Sequence, residues 1–228
     1  MNPKILAIIP ARGGSKGIPR KNIRQLAGKP LLAWTIKEAK KSKYITSTIL
    51  SSEDPEIINV AKQYGCEVPF IRPLELAQDE TPGIDTVLHA IKNCPSFDYV
   101  VLLQPTSPLR TVEDIDECIK YFMEQKADFC VSVSETDKSP YWMYKIDKNG
   151  KMESLIKSEK IPTRRQDLHK TYSLNGAIYV AKINKLIDSK SFLTPSTLAY
   201  IMKKEHSIDI DNELDLKLCE WYLDEYSH

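Results

Sequence analysis

The chain lacks the features that would place it in a membrane, in an oxidising compartment or on nucleic acid. No apolar run among its 228 residues reaches membrane-spanning length, and the first residues read as a strand rather than a signal peptide. The five cysteines (Cys66, Cys94, Cys118, Cys130 and Cys219) are odd in number, scattered and never spaced Cys-x-x-Cys. That argues against a disulfide framework and against a zinc site, and for a reducing, cytoplasmic setting in which most of them are small core residues. Charged residues make up 28% of the chain but the formal net charge is only +1. No global field therefore suggests nucleic acid or a membrane surface as partner, and any positive potential must be local. Internal repeats and low-complexity tracts are missing too. The length suits one domain spanning 1–228 with a sizeable core.

Also missing are the two commonest phosphate-binding motifs. A Walker loop needs Gly, four residues and then Gly-Lys-Ser/Thr, and the dinucleotide fingerprint needs Gly-x-Gly-x-x-Gly. What stands instead is Gly13-Gly14-Ser15-Lys16-Gly17, directly after the apolar run Ile5-Leu6-Ala7-Ile8-Ile9-Pro10. The run reads as a strand buried on both faces. The three glycines permit close backbone approach and positive φ, so consecutive N–H groups can face one anion. Arg12, Lys16, Arg20 and Lys21 crowd the same stretch. A polyphosphate needs such a site. The plainer alternative is a flexible basic turn leading to the helix that Lys29-Pro30-Leu31 opens.

The rest alternates strands with amphipathic helices. Ile49–Ser52, Tyr99–Leu103, Phe129–Val133 and Ala177–Val180 read as strands, and Glu67–Ile71 as a further extended segment. Helices are expected from Asp54-Pro55 to about Gln63, over Ile84–Lys92, after the cap Thr111-Val112-Glu113-Asp114, and from about Glu213 to Tyr226. This order predicts an α/β fold, a mostly parallel sheet flanked by helices on both faces. Over 136–170 the pattern breaks. That stretch holds Tyr141-Trp142-Met143-Tyr144, the hairpin turn signal Lys148-Asn149-Gly150-Lys151 and the basic Arg164-Arg165. It is either an arm against a second subunit or a surface excursion of the same domain, and its dense aromatics favour the arm.

Two later constellations carry chemistry. Gln104-Pro105-Thr106-Ser107-Pro108-Leu109-Arg110 follows the clearest central strand, and its two prolines fix a polar turn that presents an amide and two hydroxyls where α/β sheets bind ligands. The alternative is a stiff loop entering the capped helix. Ser207-Ile208-Asp209-Ile210-Asp211 alternates as a strand would, which puts Asp209 and Asp211 on one face. Two carboxylates side by side suit Mg²⁺, which takes one or two protein oxygens and leaves the rest to water and phosphate. Alternatively, Asp211 or Asn212 simply caps the last helix.

These segments, with Lys21-Asn22 and Asn175-Gly176-Ala177-Ile178-Tyr179, occur in an order that closely resembles the bacterial CMP-N-acetylneuraminate synthetases (acylneuraminate cytidylyltransferases) over nearly the whole chain. The resemblance implies a Rossmann-like nucleotidyltransferase fold and a homodimer. It also implies a reaction in which CTP and a nine-carbon α-keto sugar acid give the CMP-sugar and pyrophosphate with Mg²⁺. It further implies that Arg12, Gly13, Gly14, Ser15, Lys16 and Lys21 hold the triphosphate, with Asn22 and Arg72 near the cytosine and ribose. Gln104, Arg165, Asn175, Tyr179 and Phe192 would contact the sugar acid, Asp209 and Asp211 the metal, and Lys21 would share in catalysis. Leu193 and Trp142 depart from the sialic-acid pattern, which leaves legionaminic acid, or a related nonulosonate, as an alternative to N-acetylneuraminic acid. A nucleotide-binding regulator without catalysis is the alternative from another class.

Overall fold

The computed structural model describes residues 3–157, 164 and 167–226. Strand β1 (Ile5–Pro10) is apolar throughout because both its faces are covered. Ile5, Ala7 and Ile9 face one core, and Leu6 and Ile8 face the other. After a short hairpin, β2 (Gln25–Leu26) and β3 (Lys29–Pro30), come helix α1 (Leu31–Lys41), strand β4 (Ser47–Ser51) and helix α2 (Pro55–Gln63). Asp54 starts α2 by accepting the Glu56 and Ile57 N–H groups, with Pro55 at the first helical position. Helix α3 (Gly83–Asn93), strand β5 (Tyr99–Leu103), helix α4 (Val112–Glu124) and strand β6 (Phe129–Glu135) follow. A reciprocal capping box between Thr111 and Asp114 opens α4.

Strands β7 (Tyr144–Ile146) and β8 (Met152–Ser154) then form a separate two-stranded hairpin, and β9 (Tyr172–Lys182) returns the chain to the main sheet. Helix α5 (Ile183–Ser189), strand β10 (Leu198–Ile201) and helix α6 (Glu213–Tyr226) complete the described chain. The six strands of the main sheet lie in the order β10-β6-β9-β5-β1-β4. All pairs are parallel except those made by β9, which runs antiparallel to both β5 and β6. Helices α1, α2 and α4 cover one face, and α3 and α5 the other. Helix α6 packs through Leu216 and Cys219 on a third cluster with Ile18, Leu26, Leu31, Leu109 and Ile210.

The expected α/β sheet is therefore present, with differences at its margins. Glu67–Ile71 forms no strand: Glu67 makes one bridge to Ile49, and Pro69, lacking an N–H, cannot extend it. Strand β9 starts at Tyr172, five residues before the apolar stretch that marked it, and β10 carries no strong sequence signal. The irregular region contains the β7–β8 hairpin, whose turn forms because Asp147 accepts the Asn149 and Lys151 N–H groups while Gly150 takes φ +79°. Of the cysteines, Cys66, Cys118, Cys130 and Cys219 are buried and Cys94 is half-buried, all as free thiols.

The sheet and its helices meet at Arg110. This side chain is 1% exposed and faces no carboxylate at bonding distance among the described residues. Its Nη1 donates to the Ala177 carbonyl (2.8 Å) and the Gln104 carbonyl (3.2 Å), and its Nη2 donates to Thr35 Oγ1 (2.7 Å). Burial lowers its pKa to about 10, so the guanidinium is still charged at neutral pH. One cation thus ties α1, the end of β5 and β9 together. Arg110→Met would leave the three oxygens without their donor, and we expect it to lower unfolding free energy by about 3 kcal/mol in a denaturant titration. Thr111→Ala should cost about 1 kcal/mol in the same titration. An Arg110→Met midpoint equal to wild type would dismiss the staple.

Candidate active site

The chain runs outward from β1 to β4 and then returns to the other side of β1 with β5, so β1 and β5 flank a switch point of the sheet. Loops that leave the carboxyl ends of strands at such a point diverge and open a crevice. Here the crevice is a cavity of about 480 Å³. The glycine loop forms one side and Gln104–Thr106 its base, Arg72 and the Gln78–Thr86 stretch form another side, and Asp211 the facing lip. Arg12, Gly14, Ser15, Lys16, Lys21, Asn22, Arg72, Gln104 and Asp211 line it, whereas Gly13, Asn175, Tyr179, Phe192 and Asp209 do not.

The glycines act by close approach, not by positive φ. None of Gly13, Gly14 and Gly17 is left-handed. A Cβ on Gly13 would lie 2.5 Å from Asp54 Oδ2, and one on Gly17 only 2.2 Å from the Asp211 carbonyl oxygen, whereas one on Gly14 would meet nothing. The Gly13 N–H donates to Glu53 Oε1 (2.6 Å), and the Asn22 side chain donates to the Arg12 carbonyl (2.9 Å). Asn22 is therefore buried as a brace of the loop while its edge reaches the cavity.

The four cations of the loop part company. Arg20 does not line the cavity: it takes a left-handed φ of 57° and turns to α2. There it forks on Asp54 (2.5 and 3.1 Å) and also pairs with Glu56. That fork is the largest cause holding the Asp54 carboxyl below its usual range. Lys21 donates to the Ile210 carbonyl (2.6 Å) and lies 3.4 Å from Asp211 Oδ1, so it spans the loop and the opposite lip. Arg12 and Lys16 both pair with Asp79, at 2.6 and 2.8 Å. Arg72, 4% exposed, is anchored by Glu53 through Nη2 (2.6 Å) and Nε (3.2 Å).

On the facing lip the expected strand is not formed: 207–211 is irregular, tied to the Gln104 turn by a backbone bond from the Ile210 N–H to the Thr106 carbonyl (2.8 Å). The alternation survives as burial, since Ile210 is wholly buried and its neighbours Asp209 and Asp211 are not. Asn212 caps α6 by accepting the Leu214 and Asp215 N–H groups, and this frees the Asp211 carboxylate for the cavity. Loss of water pushes the Asp209 carboxyl up, opposed by the Thr106 hydroxyl and reinforced by Asp211. The same Asp209 charge, after burial, raises the half-buried Tyr179 phenol.

Gly176 marks where these groups meet. It takes φ +72°, and a Cβ there would lie 3.6 Å from Asp209 Oδ2 and 3.8 Å from Gln104 Oε1. It sits in a bulge of β9, where the pairing jumps from Tyr179 to Leu174 across Val131 to Val133. Ser132 Oγ fills the gap by donating to Asn175 Oδ1 (2.6 Å) and accepting the Ile178 N–H (2.8 Å). Asn175 is 5% exposed, and its amide nitrogen is spent on Ser207 Oγ (2.9 Å) and Met202 Sδ (3.4 Å). The structure thus turns Asn175 inward as the brace of the bulge instead of bringing it to the cavity. Phe192 is buried, stacked at a tilt on Tyr179 with ring centroids 5.4 Å apart. Arg165 lies outside the described residues.

Three partners had escaped the sequence reading. Glu53 and Asp54 follow β4 directly and were open to the rule that sites form at carboxyl ends of strands. Asp79 lies in a turn with no motif around it, and only the fold brings it to Arg12 and Lys16.

A glycine-rich cationic loop at the switch point of an α/β sheet faces Asp211 across one cavity, the kind of place where such sheets bind anionic ligands. Comparison with known proteins agrees. The cytidylyltransferase family model matches residues 6–216. The chain is 39% identical to the CMP-N,N'-diacetyllegionaminic acid synthase of Legionella pneumophila, over 95% of both chains. It is 35% identical to the N-acylneuraminate cytidylyltransferase of Escherichia coli over 96% of its own length, and spans 52% of that relative. Among solved structures, a CMP:2-keto-3-deoxy-manno-octonic acid synthetase complexed with CTP superposes with a TM-score of 0.72 at 15% identity, covering 97% of this chain and 99% of the other. That likeness shows the fold. The chain belongs to the cytidylyltransferase family and is a nucleotidyltransferase.

Close packing at Gly17 gives a direct check. Gly17→Ala should displace the Asp211 segment and lower turnover by about 10²-fold, the scale on which a misplaced catalytic group acts, while Gly14→Ala should stay within a few fold of wild type. Equal turnover for the two variants would contradict the close approach.

Proposed function

We propose that the enzyme transfers CMP from CTP to a sialic-type nine-carbon α-keto acid, releasing pyrophosphate. The observation that carries this reading is that one cavity gathers the cationic loop, the Gln104 turn and Asp211, with Asp209 and Gln104 meeting beside Gly176. In the reading, the anomeric hydroxyl of the acid attacks the α-phosphorus, and the bond to the bridging oxygen of pyrophosphate breaks in line. Such transfer asks little covalent work of the protein, so positioning and charge stabilisation supply the rate. Arg12, Lys16, Lys21 and the N–H groups of the loop bind the triphosphate and stabilise the charge that builds on the leaving group. Arg72 and Asn22 bound the part of the cavity that takes the nucleoside. Gln104 and Tyr179 orient the acid, with Phe192 stiffening the Tyr179 ring from behind. Arg165 is kept as the fork for the substrate carboxylate on the resemblance alone.

The donor set fits Mg²⁺. Asp209 and Asp211 offer hard oxygens, and no cluster of three His, Cys, Asp or Glu groups occurs among the described residues, so a bound ion would complete its shell with water and phosphate. When bound, Mg²⁺ supplies charge neutralisation at the phosphoryl oxygens and lowers the pKa of a coordinated hydroxyl. Lys21, between the Ile210 carbonyl and Asp211, keeps the two carboxylates at the lip.

Two acids fit the site. N-acetylneuraminic acid follows from the sequence motifs. Legionaminic acid is favoured by the Legionella relative and by Leu193, which stands 52% exposed beside Phe192. We further propose that the protein is a cytoplasmic homodimer in which the β7–β8 hairpin meets the second copy. Ile146 and Met152 stand 72% and 64% exposed there, and a lone two-stranded hairpin is only marginally stable without a partner. No helix of the described residues is long and apolar enough to cross a membrane.

Pyrophosphate release with CTP, Mg²⁺ and each of N-acetylneuraminic, legionaminic, pseudaminic and 3-deoxy-octulosonic acid tests the reading. Release with one nine-carbon acid, abolished by EDTA, is expected. Silence across the panel with CTP still bound would leave a nucleotide-binding protein without catalysis. Asp211→Ala should keep the fold and lower turnover by about 10²-fold or more. Full activity and wild-type Mg²⁺ dependence in that variant would remove the metal assignment.

A further inference from the structure

The acids that face the basic residues of the site fall into two kinds. Glu53 and Asp54 are built in. Glu53 is nearly buried, takes the buried Arg72 and also accepts the Gly13 N–H, while Asp54 takes Arg20 and at the same time caps α2. Neither can leave its cation without stranding backbone donors. Asp79 differs in each respect. Its side chain is 36% exposed, it lies in the turn between Ala77 and α3, and among the described residues its carboxylate caps no backbone N–H. Its two oxygens each hold one cation of the loop, Oδ1 on Arg12 Nη2 (2.6 Å) and Oδ2 on Lys16 Nζ (2.8 Å). This is the arrangement in which one phosphate would use two of its oxygens. All three residues line the cavity, so the carboxylate stands where an anion entering the loop must go.

A triphosphate and Asp79 cannot both hold these cations at such distances without bringing like charges together. We propose that Asp79 is a displaceable counter-ion of the triphosphate subsite: it occupies Arg12 and Lys16 in the nucleotide-free enzyme, yields them to CTP, and takes them back as pyrophosphate departs. The inference rests on the placement of the triphosphate at the loop given under the proposed function. Asp79 then acts through Arg12 and Lys16 as a positioning residue, and touches no reacting atom. Its pairs are exposed enough to exchange cheaply, since water and salt screen ion pairs of this kind. The turn that carries it is hung at both sides, by Thr86 Oγ1 on the Leu76 carbonyl and by Thr81 Oγ1 on the Glu75 carbonyl. The segment can therefore give up the ion pairs and keep its place. The consequence falls on product release: an internal anion competing for the same cations weakens retention of pyrophosphate, which otherwise stays on the loop as an inhibitor.

The test is binding of inorganic pyrophosphate and of CTP to the full chain by calorimetry, with pyrophosphate inhibition of turnover measured alongside. Wild type, Asp79→Asn, Asp79→Glu and Arg12→Met are compared at low and at high salt. Asp79→Asn keeps the shape and removes the charge. We expect it to bind pyrophosphate about three- to tenfold tighter than wild type at low salt, the scale of two exposed ion pairs, and to be inhibited correspondingly more strongly. The difference should shrink at about 1 M salt, where exposed charges are screened, and Asp79→Glu should behave as wild type. Unchanged or weaker pyrophosphate binding in Asp79→Asn, with Arg12→Met weakened as expected, would overturn the inference and leave the triphosphate site standing. If Arg12→Met binds both ligands as wild type does, the triphosphate site itself is misplaced and the inference falls with it.

Discussion

The site hangs on a buried positive charge that has no carboxylate of its own. Arg110 gives its protons to two backbone carbonyls and a threonine hydroxyl, and these belong to three segments far apart in the chain. Burying a cation is costly unless its donors are met, and although Nε finds no partner among the described residues, the segments that take the Nη protons are held in one geometry. From there the constraint travels outward. The Gln104 carbonyl is pinned, which sets the turn; the Thr106 carbonyl of that turn takes the Ile210 N–H; and Ile210, buried in the α6 cluster, sets its two aspartates on either side. The Ile210 carbonyl then takes Lys21, so the glycine loop is tied to the lip opposite it. A single guanidinium thus fixes how the carboxylate half of the cavity faces the cationic half.

Charge at the cavity is arranged by how firmly each ion is held. Arg20 and Arg72 are committed to acids that also serve the backbone, and they stiffen the loop and the β4 end without offering themselves to a ligand as freely as the others. Lys21 is half-committed, bonded to a carbonyl and close to Asp211. Among the described residues, Arg12 and Lys16 are held by Asp79 and, for Arg12, weakly by the Ala77 carbonyl at 3.4 Å. A gradient from fixed to exchangeable cations suits a site that must seize a triphosphate and let a diphosphate go.

The parts of the fold that were legible in the sequence are those whose causes are local. The unbroken apolar run of β1 announces two covered faces; Asp54-Pro55 and Thr111-Val112-Glu113-Asp114 announce helix starts because a side chain and the backbone N–H groups it satisfies are neighbours in the chain. The Gly-Gly-Ser-Lys-Gly loop and the paired aspartates were legible as chemistry for the same reason. The bulge of β9 was not. It exists because Ser132 on another strand replaces the missing ladder bonds, and it is this that turns Asn175 inward when the motif alone suggested a ligand contact.

The sequence by itself determined that there would be a glycine-rich cationic loop after the first strand, two alternating aspartates near the end and an α/β sheet to carry them. Periodicity and residue type encode these within a few positions. Only the tertiary structure decided which cation meets which acid: Arg20 and Lys16 are alike in charge and four residues apart, yet one is locked on α2 and the other rests on Asp79. That difference is one of partner and distance. It arises where distant segments come within hydrogen-bond reach, which no local pattern records.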